Sequence, residues 1–293
     1  MAEAFQRGLP GGSGVAGAGT GERDKLGAHS IGSDLPCVTS PDLTPAALLE
    51  RTLVVLVETS HPGNIGATAR AMKTMGLRHL ALVRPRLFPS AEATARASGA
   101  DDVLAQARVV DSLAEAVADC GAVIGTTARP RYLEWPIMAP REAAEWAVGN
   151  AAAGRVAIVF GREQTGLTNE ELTACQRAIR IPTSGEFSSL NLAQAVQICA
   201  YEWRLAALED PSPQVLPSED RFATAAELAG LVEHAKATMA LVDYFDPARP
   251  KRLPDRLSRL AGGLQLRHSE VQILRGFLTA VDETVEELGA AKD

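Results

Sequence analysis

The chain has 293 residues, enough for one large domain or two modest ones with a buried core. With 36 acidic against 29 basic residues its net charge is −7, which speaks against a uniformly basic binder of nucleic acid or membrane surface. No apolar run reaches the roughly 18 residues of a spanning helix, so no membrane association is expected. Cys37, Cys120, Cys175 and Cys199 form no CxxC pair and the five histidines no HExxH, so the chain is read as reduced and metal-free.

Residues 1–45 are rich in Gly, Ser and small polar residues and read as a disordered tail. Gly12, Gly14 and Gly17 spell GxGxxG there. That fingerprint binds a dinucleotide only between a strand and a helix, and the tail offers neither, so it reads as a chance match. Taken literally, it would make the protein a nucleotide-dependent oxidoreductase that needs its tail. No continuous apolar segment follows the first basic residue, which argues against a secretory signal.

From residue 51 the texture changes. Short apolar runs at 53–57, 79–83, 122–125 and 156–160, with a weaker one at 108–110, read as strands buried on both faces. Helices are expected over 67–75, stopped by Gly76, then over 113–119, 141–152, 168–175 and about 190–208. This alternation predicts an α/β domain over 50–208, a mostly parallel sheet with helices on both faces. Prolines at 211, 213 and 217 mark a linker over 209–220.

Residues 221–293 read as a small all-helical extension. Leu253, Leu257, Leu260 and Leu264 form an apolar stripe beside Arg252, Arg256 and Arg259. Ser269 and Gln272 have capping-box spacing, followed by an apolar seam through Val271, Leu274, Leu278, Val281, Val285 and Leu288.

Three loops carry candidate chemistry. In the first, 58–66, Gly63 and Gly66 permit a sharp turn and close approach to a ligand or a neighbouring element. Arg70 and Lys73 beyond it share a helix face, either as a phosphate site or as a solvated basic face. In the second, 161–167, Gly161 and Gly166 flank Arg162 and Glu163 at the carboxyl end of a strand, where open α/β sheets bind ligands. Glu163 is either a functional carboxylate or the partner of Arg162 or another arginine. In the third, 181–192, Ser188, Ser189 and Asn191 suit either helix capping or a polar ligand. A weaker fourth loop, 125–129, holds Thr126, Thr127, Ala128 and Arg129.

Asn64-x-Gly66-x-x-x-Arg70, Gly161-x-Glu163-x-x-Gly166-Leu167 and Ile181-Pro182 followed by Ser188-Ser189-Leu190-Asn191 together resemble the three ordered motifs of the SPOUT-class RNA 2′-O-ribose methyltransferases. The runs VETSH at 57–61 and ARAMKTMG at 69–76 resemble, more narrowly, the TrmJ branch, whose members methylate nucleotide 32 of the tRNA anticodon loop. The resemblance covers about 50–208, with a looser one through VQILRGF at 271–277; Pro62 and the tail depart from it outside the motif positions.

The resemblance implies a sheet whose C-terminal part is threaded as a trefoil knot, S-adenosyl-L-methionine as cofactor, tRNA as substrate, a cytoplasmic homodimer and no metal. It implies a cofactor site of Thr126, Thr127, Ala128, Gly161, Gly166, Ile181, Ser188, Ser189 and Leu190. It makes Arg70 the catalytic position, with Asn64, Glu163, Ser189 and Asn191 around it. The same chemistry on another tRNA site or on rRNA, and a non-catalytic RNA-binding protein of this fold, are the alternatives.

The net charge conceals two basic segments, residues 59–91 and 249–275, each +5, which leaves −17 for the other 233 residues. Local patches govern docking to phosphate. Arg70, Lys73, Arg84, Arg252, Arg256 and Arg259 from these segments, with Arg129 of the fourth loop, are the expected RNA-binding residues.

Overall fold

A computed structural model describes residues 44–128, 136–184, 186, 189–209 and 220–290. The GxGxxG of the tail, residues 210–219 of the expected linker, Arg129 and Ser188 lie outside the described residues.

Seven strands form one sheet: β1 (Thr52–Val57), β2 (His79–Val83), β3 (Arg108–Val110), β4 (Cys120–Thr126), β5 (Ile137–Met138), β6 (Arg155–Phe160) and β7 (Arg177–Ile179). Their order is β3-β2-β1-β6-β4-β7-β5, and every pairing is parallel. All six residues of β1 are buried, as a strand covered on both faces requires. Alternate side chains divide between two cores. Val54, Leu56, Ile124, Ile158 and Phe160 face one, and Leu53, Val55, Val57, Val123 and Val159 the other. Each fully buried aliphatic side chain contributes about 1.5–3 kcal/mol relative to exposure.

The first core is covered by α1 (Pro45–Glu50), α2 (Pro62–Met75), α6 (Pro140–Ala151) and α8 (Leu192–Leu208). Buried Leu192, Val196, Cys199, Trp203 and Ala206 recur on α8 at three- and four-residue spacing, so one face packs on α2 and α6. The short helices α5 (Leu113–Ala116) and α7 (Asn169–Thr173) lie over the second core. Two further helices, α3 (Ala91–Ala97) and α4 (Asp101–Ala105), follow β2 and pack on α2.

The sequence pattern assigns no helix at α1, α3 or α4, and the structure differs from expectation at three further places. Helix α2 begins at Pro62 rather than at residue 67, because proline at the first helical position lacks only an N–H that would be orphaned anyway. Gly63 and Gly66 therefore sit inside a helix. A Cβ on Gly66 would lie 2.0 Å from the Ala93 carbonyl oxygen, so its close approach is to the α3 backbone. Strands β5 and β7 carry no apolar run of their own and exist through pairing with β7 and β4 respectively.

The third difference lies in the extension of α9 (Ala225–Leu241), α10 (Leu253–Gly263) and α11 (His268–Ala290). Ser269 falls inside α11 and its hydroxyl donates to Asp220, while Glu270 accepts from the Arg267 N–H, so the expected capping box is absent. A reciprocal box instead starts α9, between Thr224 and Glu227. The extension packs at the amino ends of the strands. Ala226 N–H donates to the Ala118 carbonyl, Gln265 to Asn150, and Phe222 lies against Gly121 at the start of β4.

Candidate active site

At the opposite, carboxyl end of β4, β6 and β7 a cleft opens among the second, third and fourth loops, with Asn64 and Asn191 outside its lining. Its walls are apolar where Phe160, Ile179, Ile181, Leu190 and Leu192 contribute. Thr126, Thr127, Ala128, Gly161, Gly166 and Ser189 also line it, so the described residues of the expected cofactor set meet at one place. Thr127 N–H donates to the Ile179 carbonyl at 2.9 Å and the Thr126 hydroxyl to the Val159 carbonyl at 3.0 Å, tying the fourth loop to β7 and β6.

The second loop turns back on itself, with Gly166 N–H donating to the Arg162 carbonyl at 2.9 Å and Gly166 at φ +69°. A Cβ on Gly161 would stand 2.2 Å from the Gly166 carbonyl carbon, so that position admits glycine alone. Gln164, Thr165 and Thr183 line the cleft as well. Their place in the same loops as the motif residues is the one signal that could have found them.

A hydrogen-bonded chain joins all three motifs. The Glu163 carboxylate accepts from the backbone N–H of Ser60 at 3.2 Å, that of His61 at 3.3 Å, and Asn64 Nδ2 at 3.1 Å. Asn64 Oδ1 in turn accepts from Asn191 Nδ2 at 2.9 Å. Asn191 caps α8, its Oδ1 accepting from Ala193 N–H at 2.9 Å and Gln194 N–H at 3.4 Å. The carboxylate accepts only, so the orientation of both amides follows from it. Burial raises the Glu163 pKa, but the Asn64 amide and the N–H donors outweigh it and hold the group below its ordinary value.

Arg162 is not the partner of Glu163; it turns to Glu58 and Glu171. Capping is real for Asn191, which bonds to the first motif as well.

Other expected site residues lie outside the cleft lining. Arg70 is exposed on α2. Lys73 Nζ donates to Asp102 at 2.7 Å and to the Gly99 carbonyl at 2.9 Å, and Arg84 pairs with Glu58. Arg252, Arg256 and Arg259 belong to α10 and its N-cap, in the extension at the other end of the sheet. Cys120, Cys175 and Cys199 are buried, and burial pushes their thiols up to about 12, which leaves them inert packing groups.

The fold and cleft correspond to a known class. The profile of the SpoU rRNA Methylase family matches residues 51–201, and that of the tRNA methyltransferase TrmJ C-terminal domain matches 226–290. Over 252 residues the chain is 47% identical to the tRNA (cytidine/uridine/adenosine-2′-O-)-methyltransferase TrmJ of Pseudomonas aeruginosa, covering 82% of this chain and 97% of that one. Over 238 residues it is 45% identical to the tRNA (cytidine/uridine-2′-O-)-methyltransferase TrmJ of Photorhabdus laumondii, covering 80% and 98%. The crystal structure of TrmJ from Z. mobilis superposes with a TM-score of 0.70 at 37% identity, covering 79% of this chain and 99% of that one. The chain belongs to the SpoU methylase family, in its TrmJ branch.

Proposed function

We propose that the protein transfers the methyl group of S-adenosylmethionine to a ribose 2′-hydroxyl of tRNA, at nucleotide 32 of the anticodon loop. One observation carries this reading: the second and third motif loops line one cleft, and the first motif is tied to them through Glu163, Asn64 and Asn191. High identity to TrmJ proteins across both the sheet and the extension supports it.

The cleft's chemistry fits the cofactor. Apolar Ile181 and Leu190 suit the faces of an adenine ring, and the peptide edges beside Thr127 and Gly161 suit its polar rim. When bound, S-adenosylmethionine supplies an electrophilic methyl group on a sulfonium. Thr126, Thr127, Ala128, Gly161, Gly166, Ile181, Ser188, Ser189 and Leu190 would hold it.

The remaining residues position the acceptor. Arg70 acts as a cation that orients the neighbouring phosphate and steadies the developing oxyanion. Glu163 already accepts three N–H donors, so its part is to hold Asn64 and the start of α2 in register with the cleft. Holding hydroxyl and methyl in line is the main source of acceleration.

Arg70 is exposed outside its own chain's cleft, which supports a homodimer in which a second copy completes the site. The trefoil-knot threading of the sheet's C-terminal part is what membership of the SpoU methylase family implies. A tRNA substrate would place the enzyme in the cytoplasm.

The test is tritium transfer from labelled cofactor to bulk tRNA, with the modified nucleotide mapped by mass spectrometry in a knockout strain. Loss of the methyl group at nucleotide 32 is the expected result; loss at another tRNA site or in rRNA moves the substrate. Arg70→Ala should bind S-adenosylhomocysteine normally and transfer methyl about 100-fold more slowly or worse. Wild-type transfer by that variant removes Arg70 from the reaction.

A further inference from the structure

We infer that Arg162 is a positioning residue for methyl transfer, whose guanidinium clamps the 161–167 loop to the ends of β1 and α7 and so sets the aim of Glu163. This rests on the methyltransferase reading above.

Arg162 Nε donates to Glu58 Oε2 at 2.7 Å. Its two terminal nitrogens grip Glu171 as a fork, Nη1 to Oε2 at 2.9 Å and Nη2 to Oε1 at 3.0 Å, and Nη1 also reaches the Gly166 carbonyl at 3.5 Å. One side chain thus ties the loop's exit, the end of β1 and the first turn of α7 together. Neither carboxylate is loosely held. Glu58 also pairs with Arg84 and sits at φ +46°, a conformation that L residues rarely adopt. Glu171 also accepts from the Thr168 N–H at 2.7 Å as part of the α7 capping box.

The pairs are shielded: the Arg162 side chain is 21% exposed and that of Glu171 is 14%. An exposed ion pair would have little effect. A partly buried arginine fork with two carboxylates imposes direction as well as charge, which a lysine ammonium does not reproduce. Glu163 follows Arg162 by one peptide, and the loop that carries both forms one wall of the cleft. Releasing the clamp frees that wall and the carboxylate that organises Asn64.

The experiment compares wild type with Arg162→Lys, Arg162→Met and Glu58→Gln. Calorimetry with S-adenosylhomocysteine reads the cofactor site, single-turnover transfer to tRNA at saturating cofactor reads the aim of the loop, and thermal melting reads the fold. Arg162→Lys is expected to melt near wild type, bind S-adenosylhomocysteine about tenfold more weakly and transfer about 100-fold more slowly. Lysine at 162 should rescue no more than methionine does, because the fork and not the charge is at issue.

Affinity and single-turnover rate within about twofold of wild type in folded Arg162→Lys would overturn the inference. Should both Arg162 variants fail to fold, Glu58→Gln decides, since it keeps the Glu171 fork and takes the negative charge from the other arm. A several-fold loss of rate there supports the clamp, and wild-type affinity and rate overturn it. Wild-type protein that binds S-adenosylhomocysteine without methylating tRNA refutes the functional reading instead, while the binding arm still tests the loop.

Discussion

Glu163 stands one residue from Arg162 and bonds to none of its nitrogens, because each loop end offers a different complement. The start of α2 presents backbone N–H groups with no helical acceptor, and a carboxylate satisfies them. The ends of β1 and α7 present carboxylates, and a guanidinium satisfies those. Spacing within the GREQTGL run cannot distinguish these two pairings, since Asn64 and Glu58 lie about a hundred positions away and Glu171, nine positions on, falls outside the run.

The Glu163 bonds predict a pH effect. The folded protein holds this carboxyl below its ordinary value, so the stabilisation is complete above the unfolded pKa of about 4.3 and fades as pH falls through the lower folded value. Melting temperature should therefore drop more steeply below about pH 4.3 in wild type than in Glu163→Gln. Parallel pH curves for the two proteins would show that the carboxylate is not engaged as described.

Among the elements, α2 carries the sharpest distinction between what pattern reveals and what packing decides. The stop at Gly76 is a local matter, a left-handed residue at φ +86°, and it was legible from sequence. The start at Pro62 was not, because two glycines in the first turns read as loop by propensity. They are tolerated because α3 crosses where a side chain would stand, and Gly66 admits the Ala93 carbonyl.

Alanine at 66 would improve helix propensity by about 1 kcal/mol. Its Cβ would sit 2.0 Å from a backbone oxygen that cannot rotate away. The clash wins, so Gly66→Ala should destabilise by about 1–3 kcal/mol in urea unfolding. A neutral or stabilised variant would mean that α2 and α3 lie further apart. Strands β5 and β7 show the same limit: at two and three residues they have no periodicity to read, and pairing alone defines them.

At the scale of the molecule, the charge count needs revision. The +5 of residues 59–91 excludes Glu58 and Asp102, which in three dimensions pair with Arg84 and Lys73. Arg70 and Arg86 from that segment are not part of those pairs. Arg252, Arg256 and Arg259 of the second basic segment, on α10 and its N-cap, lie toward the amino end of the sheet while the cleft lies at the carboxyl end. These arginines therefore suit contacts with tRNA remote from the methylated ribose of the same chain.

Arg256→Ala should weaken tRNA binding about equally for all tRNAs and flatten the slope of log affinity against log salt by about 0.7–0.9 if one phosphate contact is lost. An unchanged slope would take α10 off the RNA surface.

Local chemistry by itself determined five of the seven strands, several helix ends of the sheet domain, the motif positions and the family they resemble, because burial period, capping and short motifs are written in neighbouring residues. Only the tertiary structure decided that β6 lies between β1 and β4, that Asn191 reaches Asn64 across 127 positions, and that Arg162 serves Glu58 and Glu171 rather than Glu163. Those pairings depend on which distant groups share one end of the sheet, and the strand order that brings them there is a property of the packed core, not of any local run.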